Sequence, residues 1–443
     1  LEEKARRGTA SSIRKLMGLA PMTARIVSKD DDGVEQLTDV PIATIKIGDL
    51  IEVRVGEKMP VDGKVTFATS FMKEDGAYVD ESMITGEPLP SEKQKGAMVM
   101  AGTMLSQGRL RFRARQVGED TALAQIVKMV HEAQGSKAPV QRTVDRAALI
   151  FVPVVACVAV LTFVAWVVFG GFDCVPQGII SAVAVLVVAC PCAMGLATPT
   201  ALMVGIGKAA EKGILIKDAT ALEQLRRIDT MVVDKTGTIT IPNSNVDFTK
   251  TSSMPLEERE TIKPNASEAM TMLTDEGIEV HMMSGDTPEA AAYWAKKAGI
   301  THYMSKALPQ DKENLVLNLQ EQGHKVAMVG DGINDTQALA LADVSIAMGK
   351  GTDVAMDVAQ ITLMTDDLMA LPEAVAMSRH TVKMIYQNLF WAFIYNIVCI
   401  PLAAGVLHLF GSDFQITPMW ASALMALSSI SVVLNSLRLK YAI

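Results

Sequence analysis

The fold is decided by residues 231–240, which read Met-Val-Val-Asp-Lys-Thr-Gly-Thr-Ile-Thr. A short β-branched run that ends in a carboxylate is typical of a buried parallel strand in a doubly wound α/β sheet. The carboxyl ends of such strands carry the reactive groups. We therefore predict that Asp234 is a nucleophile, which attacks the terminal phosphorus of a nucleotide and becomes an aspartyl-phosphate.

The neighbours of Asp234 suit attack on a polyanion. Lys235 and a magnesium ion would supply countercharge, and Gly237 would let the backbone approach the phosphate closely. In phosphatases built on this sheet, a second carboxylate two positions after the nucleophile empties the intermediate quickly, whereas this chain has Thr236 there. The phosphorylated intermediate is therefore predicted to persist.

Two later segments offer groups for the phosphate. Residues 278–286 read as a second strand followed by the turn Ser284-Gly285-Asp286, in which a hydroxyl would hold a phosphate oxygen. Residues 308–312 open a predicted helix, and Lys312 on that helix is expected to be a further phosphate partner.

A third strand is predicted at residues 325–330, and it ends in a cluster of carboxylates. Hard oxygen ligands suit magnesium. We therefore expect a magnesium site formed by Asp234, Asp331 and Asp335 together with the carbonyl of Thr236.

With these motifs in place, the chain resembles the P-type ATPases over nearly its whole length. The resemblance rests on Asp234-Lys235-Thr236-Gly237-Thr238, Gly330-Asp331-Gly332-Ile333-Asn334-Asp335, Ser284-Gly285-Asp286 in place of the usual Thr-Gly-Asp, and Thr85-Gly86-Glu87. It implies ATP and Mg²⁺ as cofactors, a catalytic role for the motif residues including Asn334, and a dephosphorylation loop at 85–87. In that loop Glu87 would direct water to the aspartyl-phosphate. Taken without the resemblance, Thr-Gly-Glu-Pro is more often a plain turn.

Composition indicates a membrane protein. The chain has 443 residues, 49% of them hydrophobic, and a mean hydropathy of +0.26. The net charge of −8 argues against a nucleic-acid partner. Five cysteines lie mostly in apolar stretches, which is a poor layout for a disulfide framework: Cys157, Cys174, Cys190, Cys192 and Cys399.

The predicted fold class is a multidomain membrane protein. It combines an α-helical transmembrane bundle, a small antiparallel β domain resembling an actuator, and a doubly wound phosphorylation domain of the haloacid dehalogenase type. The predicted order is a linker helix at 1–23, the β domain at 24–120, a linker at 121–146, two spans within 147–210, the phosphorylation domain at 211–366, a linker helix at 367–388, and two spans within 389–440. The family usually carries a nucleotide-binding domain near 241–261, where this chain has only a short polar tract.

The second predicted span contains Cys190-Pro191-Cys192. On a regular helix the two thiols would face about 200° apart. Pro191 and Pro199 break the helix, which lets both sulfurs face the bundle interior. Thiolates select Cu(I), Zn(II) and related ions, and this feature resembles the heavy-metal branch of the family.

The other spans carry the groups that distinguish one cargo from another. Tyr395-Asn396 precedes Pro401, and Met425 and Ser429 share a helix face. A thioether with two thiolates suits Cu(I), whereas zinc prefers a fourth ligand, often a carboxylate. The copper(I)-exporting subgroup has the same Tyr-Asn and Met-x-x-Ser-Ser patterns. That resemblance implies a copper site formed by Cys190, Cys192, Tyr395, Asn396, Met425 and Ser429.

Further expectations follow from the same resemblance. Asp145 would relay incoming metal, although a carboxylate that satisfies a helix dipole is an equal alternative. The large segments between the spans are rich in Lys and Arg, which predicts that the catalytic parts lie in the cytoplasm. The membrane itself is expected to be a bacterial inner membrane. The expected partners are membrane lipid and a copper chaperone or thiol carrier, and the expected state is a monomer.

Three other functions stay open at this point. They are a Zn(II) or Cd(II) pump, a phosphatase without transport, and a non-catalytic membrane scaffold that binds copper.

Overall fold

A computed structural model describes residues 21–29, 35–70, 76–85, 90–136, 138–243, 255–331, 335–349, 359–411 and 415–442. These residues form two compact units. The catalytic unit comprises described residues of 10–135 and 206–376, and the membrane unit comprises described residues of 136–205 and 377–443. The predicted linker helix at 1–23 falls almost entirely outside the described residues.

The first part of the catalytic unit is an antiparallel β domain. Its strands are β1 (Thr23–Lys29), β2 (Glu35–Pro41), β3 (Leu50–Arg54), β4 (Asp62–Thr69), β5 (Ala77–Asp80), β6 (Ser91–Lys93), β7 (Met98–Val99), β8 (Met104–Gln107) and β9 (Arg109–Gln116). They form a six-stranded sheet in the order β2-β1-β3-β9-β4-β7 and a three-stranded sheet in the order β6-β5-β8. Alternating apolar residues of both sheets make one core, in which Ile51, Leu105 and Phe112 are fully buried.

Two carboxylates stabilise this β domain from inside. Asp62 is 3% exposed and accepts hydrogen bonds from the backbone N–H groups of Ala101 and Ala122, at 2.6 and 2.5 Å. Glu52 is buried and paired with Arg109 and Arg111. Burial acts to raise the pKa of Glu52, but the hydrogen bonds from the two guanidinium groups outweigh it and leave the pKa below its ordinary value.

Two helices accompany the β domain: α1 (Ser82–Thr85), which follows β5, and α2 (Ala122–Gly135), which follows β9. Because Ala122 is the first residue of α2, its hydrogen bond to Asp62 fixes the start of this helix to β4. The stretch predicted as a linker, 121–146, therefore contains a helix with one buried face.

The membrane unit consists of long apolar helices. They are α3 (Pro139–Gly170), α4 (Val175–Val188), α5 (Cys192–Glu211, whose last turns enter the catalytic unit), α12 (Ala370–Ala404, whose first turns belong to that unit) and α13 (Pro418–Ala442). Within the described ranges, four helical segments are long and apolar enough to cross a bilayer. The residues predicted as a separate linker, 367–388, mostly continue into the third span as one helix, because Pro372 lies in its first turn, where Pro is tolerated, and no Pro or Gly follows before Pro401.

Polar and small residues hold these helices together. Asn388 on α12 is fully buried and donates to Ser436 of α13 at 2.7 Å and to the Ala197 carbonyl of α5 at 3.3 Å. Its own carbonyl oxygen accepts from Asn435 at 2.9 Å. Such interhelical hydrogen bonds satisfy amide groups that lipid cannot.

The second part of the catalytic unit is an α/β domain. Its strands are β10 (Ile214–Ile216), β11 (Thr230–Asp234), β12 (Thr240–Pro242), β13 (Glu260–Ile262), β14 (Glu279–Met283), β15 (His302–Met304), β16 (Val326–Gly330), β17 (Val344–Met348) and β18 (Ile361–Leu363). Its helices are α6 (Ala219–Leu225), α7 (Leu256–Arg259), α8 (Ala266–Asp275), α9 (Pro288–Ala298), α10 (Pro309–Glu321) and α11 (Thr336–Leu341).

Seven of these strands form one sheet in the order β10-β18-β17-β16-β11-β14-β15. All neighbouring pairs are parallel except β10 with β18. Helices connect most of the parallel strands, so β11, β16 and β17 are buried on both faces and consist almost wholly of apolar residues. This arrangement is the predicted doubly wound sheet.

Strands β12 and β13 form a separate antiparallel pair, in which Thr240 lies opposite Ile262. They flank residues 244–254, which lie outside the described part of the chain. The position predicted to lack the nucleotide-binding insertion, 241–261, includes these undescribed residues, so its absence stays a prediction.

Candidate functional site

Asp234 lies at the carboxyl edge of the seven-stranded sheet. It is the last residue of β11, is 6% exposed, and lies opposite Met283 of β14. Strand β11 pairs with β14 on one side and β16 on the other, so its carboxyl end is central in the sheet. This edge is where doubly wound sheets bind ligands.

Lys312 supplies the positive charge that contacts Asp234. It lies in the first turn of α10, where Pro309 takes the first helical position and Asp311 accepts a hydrogen bond from the backbone of Leu308. The Lys312 ammonium is 2.7 Å from Asp234 Oδ1 and 2.6 Å from Asp335 Oδ1. Burial acts to lower the pKa of Lys312, but these two carboxylates hold it above its ordinary value.

The site carries more negative than positive charge. The pKa of Asp234 is raised to about 6, mainly by burial and then by the negative charge of Asp335. Asp331 also raises this pKa, whereas the Lys312 ammonium lowers it. Burial also raises the pKa of Asp335, and Asp331 adds to that shift. Three carboxylates around one ammonium leave a site that a cation would neutralise.

The geometry around these carboxylates fits a hard cation. Asp335 Oδ2 is buried and has no hydrogen-bond partner among the described residues. Gly237 has a φ of 78°, and a Cβ there would lie 3.3 Å from Asp331 Oδ2, so only glycine leaves this space open without strain. Carboxylate oxygens around such a space are the ligands that magnesium prefers.

The loop after β14 brings a hydroxyl to the same edge. Ser284 is 1% exposed, and its Oγ accepts a hydrogen bond from the backbone N–H of Asp286 at 3.1 Å. This short turn holds Ser284 directly beyond Met283, whose strand is the neighbour of β11. The hydroxyl hydrogen is thereby left to donate to an anion.

In the membrane unit the cysteine motif lies at a helix break. Helix α4 ends at Val188 and α5 begins at Cys192, with Pro191 between them. The break brings the Cα atoms of Cys190 and Cys192 to 5.4 Å, and their sulfurs are joined in a disulfide. Cys190 is half-buried and Cys192 is exposed.

Several buried oxygens in this unit are unpartnered. Asn396 Oδ1 on α12, Ser428 Oγ on α13 and Thr198 Oγ1 on α5 accept no hydrogen bond from any described residue, although each residue is 2% exposed or less. Met425 is 8% exposed. Buried polar atoms without partners are costly in an apolar medium, so each is a candidate ligand atom.

Two family models match the chain. One is the P-type ATPase actuator domain, over residues 18–131, and the other is the haloacid dehalogenase-like hydrolase, over residues 246–343. Among curated proteins, "Copper-exporting P-type ATPase" of Legionella pneumophila is 38% identical over 541 residues, which cover 99% of this chain and 72% of that protein. The chain belongs to the P-type ATPase family.

Other relatives agree with this assignment. "Copper-transporting ATPase 1" of Rhizobium meliloti is 38% identical, with 99% of this chain and 64% of that protein covered. "Probable copper-exporting P-type ATPase V" of Mycobacterium tuberculosis is 39% identical, with 99% and 68% covered. The chain therefore spans about two thirds of the length of these relatives. The alignment to the Rhizobium protein extends over 542 residues and the chain has 443, so that protein contains residues without a counterpart here.

Solved structures lead to the same family. A crystal structure titled as a zinc-transporting PIB-type ATPase in the E2.Pi state has a TM-score of 0.57 and 26% identity, covering 97% of this chain and 83% of that one. The predicted fold class is thus confirmed: this P-type ATPase combines an actuator β domain, a haloacid dehalogenase-like domain and apolar helices fit to span a membrane.

Lys235, which is predicted to supply countercharge for the phosphate, contacts carboxylates other than that of Asp234. Its buried ammonium lies 2.6 Å from Glu260 and 2.6 Å from Asp286, and its role toward a phosphate stays a prediction. Neighbouring residues at the end of a strand point to opposite faces, so Lys235 turns away from Asp234. The contacting ammonium is that of Lys312.

Glu260 was missed by the sequence analysis. Both of its carboxylate oxygens accept from Lys235 at 2.6 Å, and Oε2 also accepts from the Thr240 hydroxyl at 2.7 Å. It lies on β13 in a polar tract with no recognisable motif, and only the β12–β13 pairing brings it to the site.

The disulfide also departs from expectation. The position of the cysteines in apolar stretches predicts no disulfide framework, yet Cys190 and Cys192 are paired. The helix break at Pro191 brings these two near neighbours together, so the pairing is local. Cys399, in contrast, is buried in the membrane core.

The remaining predicted residues are found as follows. Thr236 is exposed, and Tyr395 and Ser429 are half-buried. Asp145 is exposed and lies in the second turn of α3, beyond the first turn where a helix dipole acts, which disfavours the dipole alternative. Gly86, Glu87 and Asn334 lie outside the described residues, as does the side chain of Thr85.

Proposed function

We propose that this chain belongs to an ATP-driven Cu(I) exporter that works through an aspartyl-phosphate at Asp234. The observation that carries the proposal is a buried carboxylate at the carboxyl end of the central strand, held by the Lys312 ammonium and flanked by Asp335. Such a carboxylate is oriented for attack and kept out of bulk water.

Phosphoryl transfer would proceed at this edge of the sheet. Asp234 attacks the γ-phosphorus of ATP, the bond from that phosphorus to the β,γ-bridging oxygen breaks, and ADP leaves with that oxygen. The Lys312 ammonium passes from the carboxylates to the incoming phosphate oxygens. Ser284 donates its hydroxyl to one of those oxygens. Magnesium, when bound, would neutralise charge on the phosphates, and Asp234, Asp331, Asp335 and the Thr236 carbonyl are the groups that would hold it.

Hydrolysis of the intermediate would be the slow, controlled step. Thr236 has no acid or base group to activate water, and the residue is exposed. The proposal gives that work to Glu87, on the loop that also contains Thr85 and Gly86. The catalytic set is completed by Lys235, Gly285, Asp286 and Asn334. Lys235 is a positioning residue in this proposal, because its ammonium donates to Glu260.

The proposed copper site consists of Cys190, Cys192 and Met425, with Tyr395, Asn396 and Ser429 shaping it. Soft sulfur ligands favour Cu(I). The unpartnered Asn396 oxygen and the buried Met425 support it. Because a disulfide has no thiolate to offer, metal binding would require the Cys190–Cys192 bond to be reduced first.

Coupling to ATP has an energetic reason. Moving one positive charge outward against 100 mV costs about 2.3 kcal/mol. Each tenfold step in concentration adds about 1.4 kcal/mol. In this proposal the protein is a monomer in the inner membrane of a bacterium, and its catalytic unit lies in the cytoplasm. Asp145 would relay copper from a soluble chaperone or thiol carrier.

Zinc or cadmium export is the second candidate, because two solved structures similar to this chain are titled as zinc-transporting. Copper is favoured because the relatives named for copper are 36–39% identical to this chain, whereas the structures titled as zinc-transporting are 26% identical to it. Residues 389–404 of α12 and 418–437 of α13, which form the apolar part of each helix, contain no Asp or Glu that could complete a zinc site.

The test is incorporation of labelled phosphate from ATP into the full-length protein in reductant, with Cu(I), Ag(I) or Zn(II) added. We expect label with Cu(I), less with Ag(I), none in Asp234→Asn, and loss of metal dependence when Cys190 and Cys192 are both Ser. Stimulation by Zn(II) and not by Cu(I) would transfer the assignment to zinc. Rapid turnover without trapped label would indicate a phosphatase. Unchanged copper tolerance of cells carrying Asp234→Asn would indicate a scaffold.

A further inference from the structure

A second group of metal-ligating side chains lies at the far edge of the seven-stranded sheet. Glu279 and His281 are on β14, and His302 is on the edge strand β15. His281 lies opposite His302 in the parallel register, so their side chains share a sheet face. Glu279, two residues before His281, points to that same face.

The ligand atoms are spaced as a metal ion would require. His281 Nε2 is 2.9 Å from Glu279 Oε1, His302 Nε2 is 3.5 Å from the same oxygen, and all three atoms lie within 4.8 Å of one another. Ligands about 2.0–2.2 Å from a tetrahedral ion are roughly 3.3–3.6 Å apart, so the observed separations need only small side-chain adjustments.

One of these atoms lacks a proper partner. His281 Nε2 is buried and makes no hydrogen bond of acceptable geometry with any described residue, in spite of its closeness to Glu279. A satisfied histidine and carboxylate pair would use this nitrogen as a donor. The nearby pair of His324 and Asp229 shows the ordinary case: its nitrogen and oxygen are 3.0 Å apart in a hydrogen bond.

The group is also accessible. The side chains of His302 and Glu279 are 55% and 44% exposed. A depression of about 270 Å³ opens beside them, lined by both histidines and Tyr303 among others. A three-ligand site beside this opening leaves a fourth position for water.

We propose that Glu279, His281 and His302 bind a divalent transition-metal ion that ties the edge strand β15 to β14. Two imidazoles and one carboxylate are ligands for Zn(II), Co(II), Ni(II) and Cu(II), in contrast to the sulfur ligands proposed for the cargo. This site lies in the phosphorylation domain and takes no part in transport. Its role is to hold an exposed edge strand that has only three residues.

Co(II) titration of the purified full chain in detergent tests the proposal, because cobalt gives visible absorption with imidazole ligands and a separate near-ultraviolet band with thiolates. We expect one Co(II) per chain with the visible bands and no thiolate band. His302→Ala and Glu279→Gln should each weaken the binding at least about tenfold. His324→Ala is the matched control and should bind as the wild type does.

Exchange of backbone amides provides a second readout. Zn(II) should slow hydrogen exchange in residues 302–304 of the wild type and not in His302→Ala. Equal cobalt affinity in the wild type and His302→Ala, a signal that disappears only when Cys190 and Cys192 are both Ser, or an unchanged exchange rate with Zn(II) would each overturn the proposal.

Discussion

Replacing Lys312 by Met should destabilise the phosphorylation domain more than any surface lysine substitution. The ammonium is held between two buried carboxylates at 2.7 and 2.6 Å. Met has a similar length and no charge, so the variant leaves Asp234 and Asp335 facing each other without compensation. Removing one partner of a buried ion pair costs about 3–5 kcal/mol.

The loss should depend on pH in a defined direction. The pKa of Asp234 is already raised to about 6 from an unfolded value of 3.8, and without Lys312 it rises further. The folded state then binds more protons than the unfolded state, so stability falls as the pH rises. In magnesium-free buffer we expect a small loss near pH 5 and the full loss near pH 8.

Hydrogen exchange measured by mass spectrometry gives the magnitude. Amides of residues 230–234 and 326–330 lie in the sheet centre and exchange through its unfolding. A loss of 3–5 kcal/mol predicts exchange roughly 100- to 4,000-fold faster at pH 8. Lys325→Met is the control, because Lys325 is 55% exposed and its 3.0 Å pair with Asp343 is worth under about 1 kcal/mol. Equal exchange in both variants would refute the reasoning.

Three further outcomes are expected. Glu52→Gln should lower the free energy of unfolding of the β domain by about 1–3 kcal/mol at pH 7, because the guanidinium groups of Arg109 and Arg111 lose the carboxylate that they share. Since the pKa of Glu52 is lowered on folding, its contribution is present above pH about 4.5 and disappears as the pH falls, so acid denaturation curves of variant and wild type should converge below that pH. Gly205→Ala should destabilise the membrane unit in thermal unfolding, because its Cβ would lie 2.4 Å from Thr381 Oγ1, whereas Gly195→Ala meets nothing within 4 Å and should not. Thr236→Asp should shorten the lifetime of the phosphorylated form at least about 100-fold by supplying a general base, and Thr236→Asn should leave the decay of label unchanged.

Much of the carboxyl edge of the seven-stranded sheet could be predicted, because its strands are recognised from residues that are neighbours in the chain. The run Met231-Val232-Val233 is apolar and contains two β-branched valines, so its burial between two parallel strands follows from composition. The same holds for the four membrane segments among the described residues, since uninterrupted apolar length is a property of sequence.

Side-chain direction could not be predicted in the same way. Lys235 follows Asp234 directly and Lys312 opens a predicted helix, and the sequence predicts both as positively charged partners of the phosphate. Strand alternation turns Lys235 toward Glu260, whereas the start of α10 delivers Lys312 across 78 residues of chain to Asp234. The partners of Asn388 and the closeness of His281 to His302 likewise depend on strand and helix order.

The sequence by itself determined the strand that ends in Asp234 and the apolar spans, because each depends on residues that are neighbours in the chain. Only the tertiary structure decided which ammonium contacts Asp234, how the two cysteines meet at the helix break, and which histidines come together. Pro191 indicates a helix break from the sequence, but the residue at which α4 ends and the distances between residues far apart in the chain depend on tertiary packing.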